Sequence, residues 1–196
     1  MKGIGMGEIG GGAMGEVRIE QVGADSRRYA RSAWEHMRAC KAADGGHTAG
    51  LGCLEGFANA DEAERGWAGQ ALAEAAGEGL PEGWVPSVEF CALGPGDQVV
   101  GMAQLRLALN DALLDRGGHI GYSVHPDFRR RGYAGLLLRR CLSQARQQGM
   151  SRVLLTCDGS NEASRRTILS CGGVLEDTRV DSDGAAYERY YVQLGH

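Results

Sequence analysis

The hydrophobic positions of this chain switch repeatedly between a period of two and a period of 3.6. Residues 16–20 (EVRIE) alternate apolar and polar as a half-buried strand does. Residues 26–40 follow with Tyr29, Ala33, Met37 and Cys40 at helical spacing, and Ser26 stands where a cap would. A second helix is predicted over residues 61–76, ending near Gly77 and Gly79. Residues 88–93 and 98–107 read as a hairpin around the turn Gly94-Pro95-Gly96-Asp97. After a long connection, residues 108–118, in which Ala112 to Leu114 suit a short helical turn, a strand is predicted over residues 119–124 and stops at Pro126. Residues 132–148 carry Leu137, Leu138, Cys141, Leu142 and Ala145 on one helical stripe closed by Gly149. Residues 152–157 (RVLLTC) form a continuous apolar run, as a central strand does. A helix over residues 161–171 and strands over 174–180 and 186–194 complete the pattern, with a turn at residues 181–184.

The order is that of one mixed α/β core, and 196 residues with 43% hydrophobic content suffice for it. Residues 1–15 are glycine-rich and aperiodic and read as a flexible tail, leaving 16–196 as the domain. Residues 41–58 read as a loop. Trp34, Trp67 and Trp84 read as packing residues.

A formal charge of -4 argues against a nucleic-acid partner. No apolar run approaches the roughly 20 residues that span a bilayer, and no signal-peptide core opens the chain, so no membrane partner and a cytoplasmic location are expected. The six cysteines include no Cys-x-x-Cys and the chain has no His-Glu-x-x-His, so no metal site is expected. Cys141 and Cys157 read as small buried hydrophobes in a reducing compartment.

The chemistry is concentrated between residues 125 and 135 (HPDFRRRGYAG), after a strand and at the start of a helix. Gly132 lets a ligand approach the backbone, the helix start presents unpaired amides, and Arg129, Arg130 and Arg131 add positive charge. A pyrophosphate fits such a loop. The patterns of nucleoside triphosphatases and dinucleotide enzymes are both absent. Arg129-Arg130-Arg131-Gly132-Tyr133-Ala134 instead resembles the Gln/Arg-x-x-Gly-x-Gly/Ala signature of the GNAT acetyltransferases. The resemblance runs over about residues 99–180 and takes in Asn161-Glu162-Ala163-Ser164 at the start of the next helix. Residues 118–126 look like a bacterial subgroup of predicted acetyltransferases.

The resemblance implies a fold with a mixed sheet of six or seven strands and about four helices, splayed at the acyl-CoA site. It implies acetyl-CoA as acyl donor, bound by Val124, residues 129–135 (Arg129, Arg130, Arg131, Gly132, Tyr133, Ala134, Gly135), Asn161 and Ser164. By the same resemblance the Val124 amide stabilises charge on the thioester oxygen. Where related enzymes often carry a glutamate base this chain has His119, whose ordinary pKa suits that role. Where many carry a tyrosine acid it has Ile168, which leaves Tyr190, Tyr191 or Tyr122 to protonate the thiolate, or no acid at all.

Arg106, Asn110 and His119 flank the long connection and are expected to line a polar acceptor site. The function expected is acetylation of a small-molecule amine. The alternatives are acetylation of a protein N-terminus or lysine, and a non-catalytic acyl-CoA-binding sensor. Edge strands near the C-terminus are expected to permit a homodimer.

Overall fold

The computed structural model describes residues 17–195, so the expected tail, residues 1–15, lies outside the described residues. Among the described residues there are seven strands and four helices of nine residues or more. Strand β1 (Arg18–Gln21) leads into helices α1 (Ala30–Ala43) and α2 (Ala60–Ala76). Strands β2 (Ser87–Leu93) and β3 (Val99–Arg106) form the predicted hairpin, and the short helix α3 (Asp111–Asp115) interrupts the long connection. Strand β4 (Ile120–Val124), helix α4 (Tyr133–Gln147), strand β5 (Arg152–Asp158), helix α5 (Glu162–Ser170) and strands β6 (Gly173–Val180) and β7 (Ala186–Gln193) follow.

The first helix starts later than its apolar spacing suggests. Residues 24–29 are a 3-10 turn, and Ser26 serves that turn: its Oγ accepts the Gly23 N–H at 2.9 Å and lies 2.5 Å from the Tyr29 hydroxyl. Helix α2 is capped by Asn59, whose side chain accepts the Glu62 N–H, and ends on Gly77 at φ 77°.

The strands form two antiparallel sheets, in the orders β1-β2-β3-β4 and β5-β7-β6. Among the described residues the two sheets are joined by one isolated bridge, Gly118 to Leu155, just before β4. Period two fixes which face each side chain takes. On one face Cys91, Leu93, Val99 and Met102 pack under α1 and α2 with Tyr29, Met37 and the fully buried Trp67. On the other Phe90, Ala103, Leu105 and Ile120 meet Leu137, Leu138 and Cys141 of α4. The same core continues into Val153, Leu155, Tyr190 and Val192, so α4 lies across both sheets and holds them together. As expected, Cys141 and Cys157 are buried.

Candidate active site

The gap between β4 and β5 is closed at one end by His119. Its backbone N–H donates to the Leu154 carbonyl at 2.8 Å, and the Leu154 N–H donates to its Nδ1 at 2.8 Å. Beyond that point the strands separate. The register of β3 against β4 then decides where the free amides point. His125 N–H donates to Val100 C=O and Arg106 N–H to His119 C=O, so residues 121 and 123 use their peptide groups on β3, as do His125 through its N–H and His119 through its carbonyl. Ile120, Tyr122 and Val124 alternate with them, which by the same register turns their N–H groups toward the gap, while the Val124 carbonyl is taken by Arg129. Leu194 N–H donates to Ser151 C=O and Gly159 N–H to Ala186 C=O, which by the same alternation turns Thr156 and Asp158 toward the gap from β5. The cleft is therefore walled by strand edges from both sides.

At its mouth the chain forms a 3-10 turn over Pro126–Phe128 and then adopts left-handed conformations at Arg130 (φ 63°) and Gly132 (φ 82°). Such a backbone turns successive amides into a concavity that suits an anion. Helix α4 begins immediately after Gly132, with no capping side chain, so its first-turn amides add to the same positive end. A Cβ at Gly132 would meet nothing within 4 Å, so conformation and approach, rather than crowding by the protein, call for glycine there.

The three arginines divide their work. Arg129 donates from Nε to the Val124 carbonyl at 3.1 Å and pairs with Asp44 at 2.6 Å, which ties the loop to the end of α1. Arg131 donates to the Asp127 carbonyl and lies over the Phe128 ring. Arg130 is exposed and has no side-chain partner among the described residues, and the guanidinium of Arg139, nearly two turns into α4, lies 3.2 Å from where a Gly135 Cβ would be. Arg139 is a cation the motif did not reveal; its position four residues beyond Gly135 is the signal that could have.

Helix α5 borders the cleft. Asn161 caps it, Oδ1 accepting the Ser164 N–H at 3.0 Å. The Ser164 hydroxyl meets the Tyr122 hydroxyl at 2.9 Å. Tyr122 is a phenol at the cleft, and burial holds its pKa up at about 12. Tyr190 is arranged differently. It is buried and donates to Glu188 at 2.6 Å, whose carboxylate is gripped by Arg165 at 2.8 Å. A phenol committed to a carboxylate is not aimed at a thiolate, so the expectation for Tyr190 does not fit the geometry.

His119 also departs from its expected role as base. With Nδ1 accepting a backbone N–H, the neutral ring carries its proton on Nε2 and has no lone pair left to take another. Burial first, and then nearby Arg106, lower its pKa.

A cavity of about 340 Å³ lies on the α1/α2 side of β3. Arg106, Asn110, Gln104, Thr48, Glu55 and Trp84 are in its wall. Two of the three expected acceptor residues are thus brought together, while His119 sits beside Arg106 in the ladder but outside the lining. Asn110 shapes the wall, since its Oδ1 caps α3 and its Nδ2 donates to the Gly83 carbonyl at 2.7 Å. Trp84 is 49% exposed, contrary to the packing role expected of it. Gln104 is a polar residue at a buried position of β3, where its Nε2 donates to the Ser87 hydroxyl at 3.0 Å. Gly50 lies on the Gly121 backbone, where a Cβ would stand 2.7 Å from the carbonyl oxygen, so the 48–52 loop presses on β4 beside this cavity.

The fold also gathers Cys53, Glu74 and Glu89 in the core, their ligand atoms within 4.8 Å, a grouping that no motif spacing announces. Glu89 accepts the Cys53 N–H at 2.8 Å and the Trp67 Nε1–H at 2.9 Å.

Residues 54–172 match the family model described as the acetyltransferase (GNAT) family. Among solved structures, the ribosomal-protein-S5-alanine acetyltransferase of Vibrio fischeri is 14% identical with a TM-score of 0.64, over 90% of this chain and 92% of that one. A putative acetyltransferase of Salmonella typhimurium, solved with its cofactor acetyl-CoA, is 18% identical with a TM-score of 0.60, over 92% and 95%. At those identities the likeness is one of fold. A glycine dehydrogenase (decarboxylating) of Variovorax paradoxus is 33% identical over 98 residues, 48% of this chain and 10% of that protein. The chain spans about a tenth of the length of the curated relatives it matches.

Proposed function

Because this chain belongs to the acetyltransferase (GNAT) family and is an acetyl-CoA-dependent acyltransferase, we propose that it transfers the acetyl group directly to a primary amine of a small molecule. The observation that carries this reading is the opened seam between β4 and β5, with the Tyr122 and Val124 amides facing it and the left-handed loop at its mouth. The pyrophosphate lies on the amides from Gly132 to Gly135, with Arg130 and Arg139 as counter-charges. Arg129 and Arg131 hold the loop in shape. Pantetheine runs along the edge of β4, where Val124 and Tyr122 offer N–H groups, and Asn161 and Ser164 flank it.

The acceptor nitrogen, without its proton, attacks the thioester carbonyl. Charge on the carbonyl oxygen is stabilised by a cleft-facing amide, Val124 or its deeper neighbour Tyr122. As the C–S bond breaks, the attacking nitrogen gives up its extra proton to solvent, the thiolate takes a proton from the Tyr122 phenol, and the Ser164 hydroxyl donates to the phenolate until solvent reprotonates it. The high pKa of Tyr122 keeps the phenol protonated at neutral pH. His119 serves as a positioning residue that pins the closed end of the cleft. The acceptor occupies the cavity at Arg106, whose size suits a small molecule.

Calorimetry with acetyl-CoA and thiol release against a panel of amines test this reading. Wild type is expected to bind and to release thiol with at least one small amine, and Gly132→Trp, which fills the approach to the loop, to lose binding at least tenfold. Binding without turnover on any amine would favour a sensor. Turnover on peptide N-termini alone would assign a protein substrate. Absence of binding by wild type would overturn the cofactor site.

A further inference from the structure

Arg106 is set apart from other arginines withdrawn from solvent. Arg189, 5% exposed, holds Asp177 at 2.8 Å, and Arg165 holds Glu188 at 2.8 Å. The guanidinium of Arg106 has only the carbonyls of Gly118 at 3.2 Å and Gly117 at 3.5 Å. No carboxylate pairs with it among the described residues. The acid in the cavity wall, Glu55, is engaged by Lys41 at 2.7 Å. The cavity therefore holds a partly desolvated cation whose charge the protein leaves unbalanced. Leaving such a group without a counter-ion is costly, and a ligand carboxylate relieves that cost through paired N–H···O contacts. The Thr48 hydroxyl in the same wall is buried and has no hydrogen-bond partner among the described residues.

We propose that the cavity binds the carboxylate of the acceptor, so that the substrate is an amino acid in the broad sense, an amine and a carboxylate on one small molecule. The inference rests on the acyltransferase reading and deepens it. The ladder supplies the spacing. Arg106 is bonded to His119, three residues before Tyr122 on β4, a distance on the order of 10 Å along the strand. The guanidinium is turned further away, toward residues 117 and 118. The amine and the carboxylate are therefore separated by several bonds, as in an ω-amino acid or a dipeptide, and not by one carbon as in the α-amino group of glycine.

The test compares 6-aminohexanoate with 6-aminohexanamide, equal in length but uncharged at the far end, and titrates hexanoate into the protein by calorimetry. Wild type is expected to prefer the carboxylate about tenfold or more, through KM, and to bind hexanoate. Arg106→Gln is expected to bring the preference close to one and abolish hexanoate binding, with acetyl-CoA affinity unchanged as evidence that the fold survives. Arg106→Lys, a point charge without the planar fork, is expected to retain part of the preference. Equal use of the two amines by wild type, or a preference that survives Arg106→Gln, would overturn the proposal. If wild type fails to bind acetyl-CoA, the acyltransferase reading falls, and hexanoate titration alone decides the carboxylate site. If neither amine is turned over, the same titration decides, and absence of binding refutes it.

Discussion

Glu89 sits 2% exposed beneath α2, with an N–H donor on each carboxylate oxygen and no cation paired with it among the described residues. Burial raises its pKa to about 7, against the pull of those two donors. An acid with a raised folded pKa binds its proton more tightly folded than unfolded. Its contribution to stability is therefore complete below the unfolded value near 4.5 and is lost as pH rises through about 7. Melting temperature is expected to fall over that window, and Glu89→Gln to flatten this component. The same variant places an amide donor against one of two N–H donors, so it is expected to cost about 1–3 kcal/mol at low pH. A wild-type slope retained by Glu89→Gln would locate the titrating group elsewhere. The Tyr122 hydroxyl is the second residue with a sharp expectation. Tyr122→Phe should lower kcat roughly 10- to 100-fold in thiol-release assays while leaving the Kd for acetyl-CoA within about twofold. An unchanged kcat would mean that the thiolate departs without an acid.

Among the elements, the junction of β4 and β5 is the most exacting. Gly118 has φ 63°, and a Cβ there would stand 2.5 Å from the Leu154 carbonyl oxygen. Gly118→Ala is expected to destabilise the fold by about 2 kcal/mol or more, read from denaturant midpoints at constant m-value. At the start of α5 the cost should be smaller: Asn161→Ala loses the bond to the Ser164 amide and should cost about 1 kcal/mol. It should also weaken acetyl-CoA binding in calorimetry, because the same bond sets the Ser164 hydroxyl beside Tyr122. Helices α4 and α5 and strand β5 were legible in the sequence because their stripes are long and their ends are marked by Gly132, Asn161 and Gly149. The anion loop was legible because glycine and arginines fall at one strand end. The division into two sheets was not. Period two tells which face Tyr122 or His119 takes, yet not which strand lies alongside. The bonds from His119 to Leu154 and from Tyr122 to Ser164 join residues 35 and 42 positions apart. For the same reason Tyr190 looked available: nothing local to it announces Arg165, which holds its carboxylate partner.

At the scale of the whole molecule, two sheets share one core through α4, and both ends of the strand order leave an edge. Strand β6 is one of them, and Val174, Leu175 and Val180 are exposed on it at 66%, 50% and 66%. An edge strand with three exposed apolar side chains is where a second copy of the chain would pair, and the oligomeric state tests this. Light scattering should show a dimer in wild type and a monomer in Leu175→Lys, since a charge on an edge strand opposes pairing. Among the described residues no helix is long and apolar enough to cross a membrane.

The parted strands have one more consequence. Amides of Tyr122 and Val124 that find no neighbour in β5 are exposed to exchange with deuterium, while those of His119 and Leu154 are held. A ligand whose own amides lie along β4 takes the place of a missing strand. Acetyl-CoA should then slow exchange at residues 122 and 124 far more than at the already sealed 119 and 154. The protein would enter its reaction cycle as an unfinished sheet that its donor completes and each product release undoes.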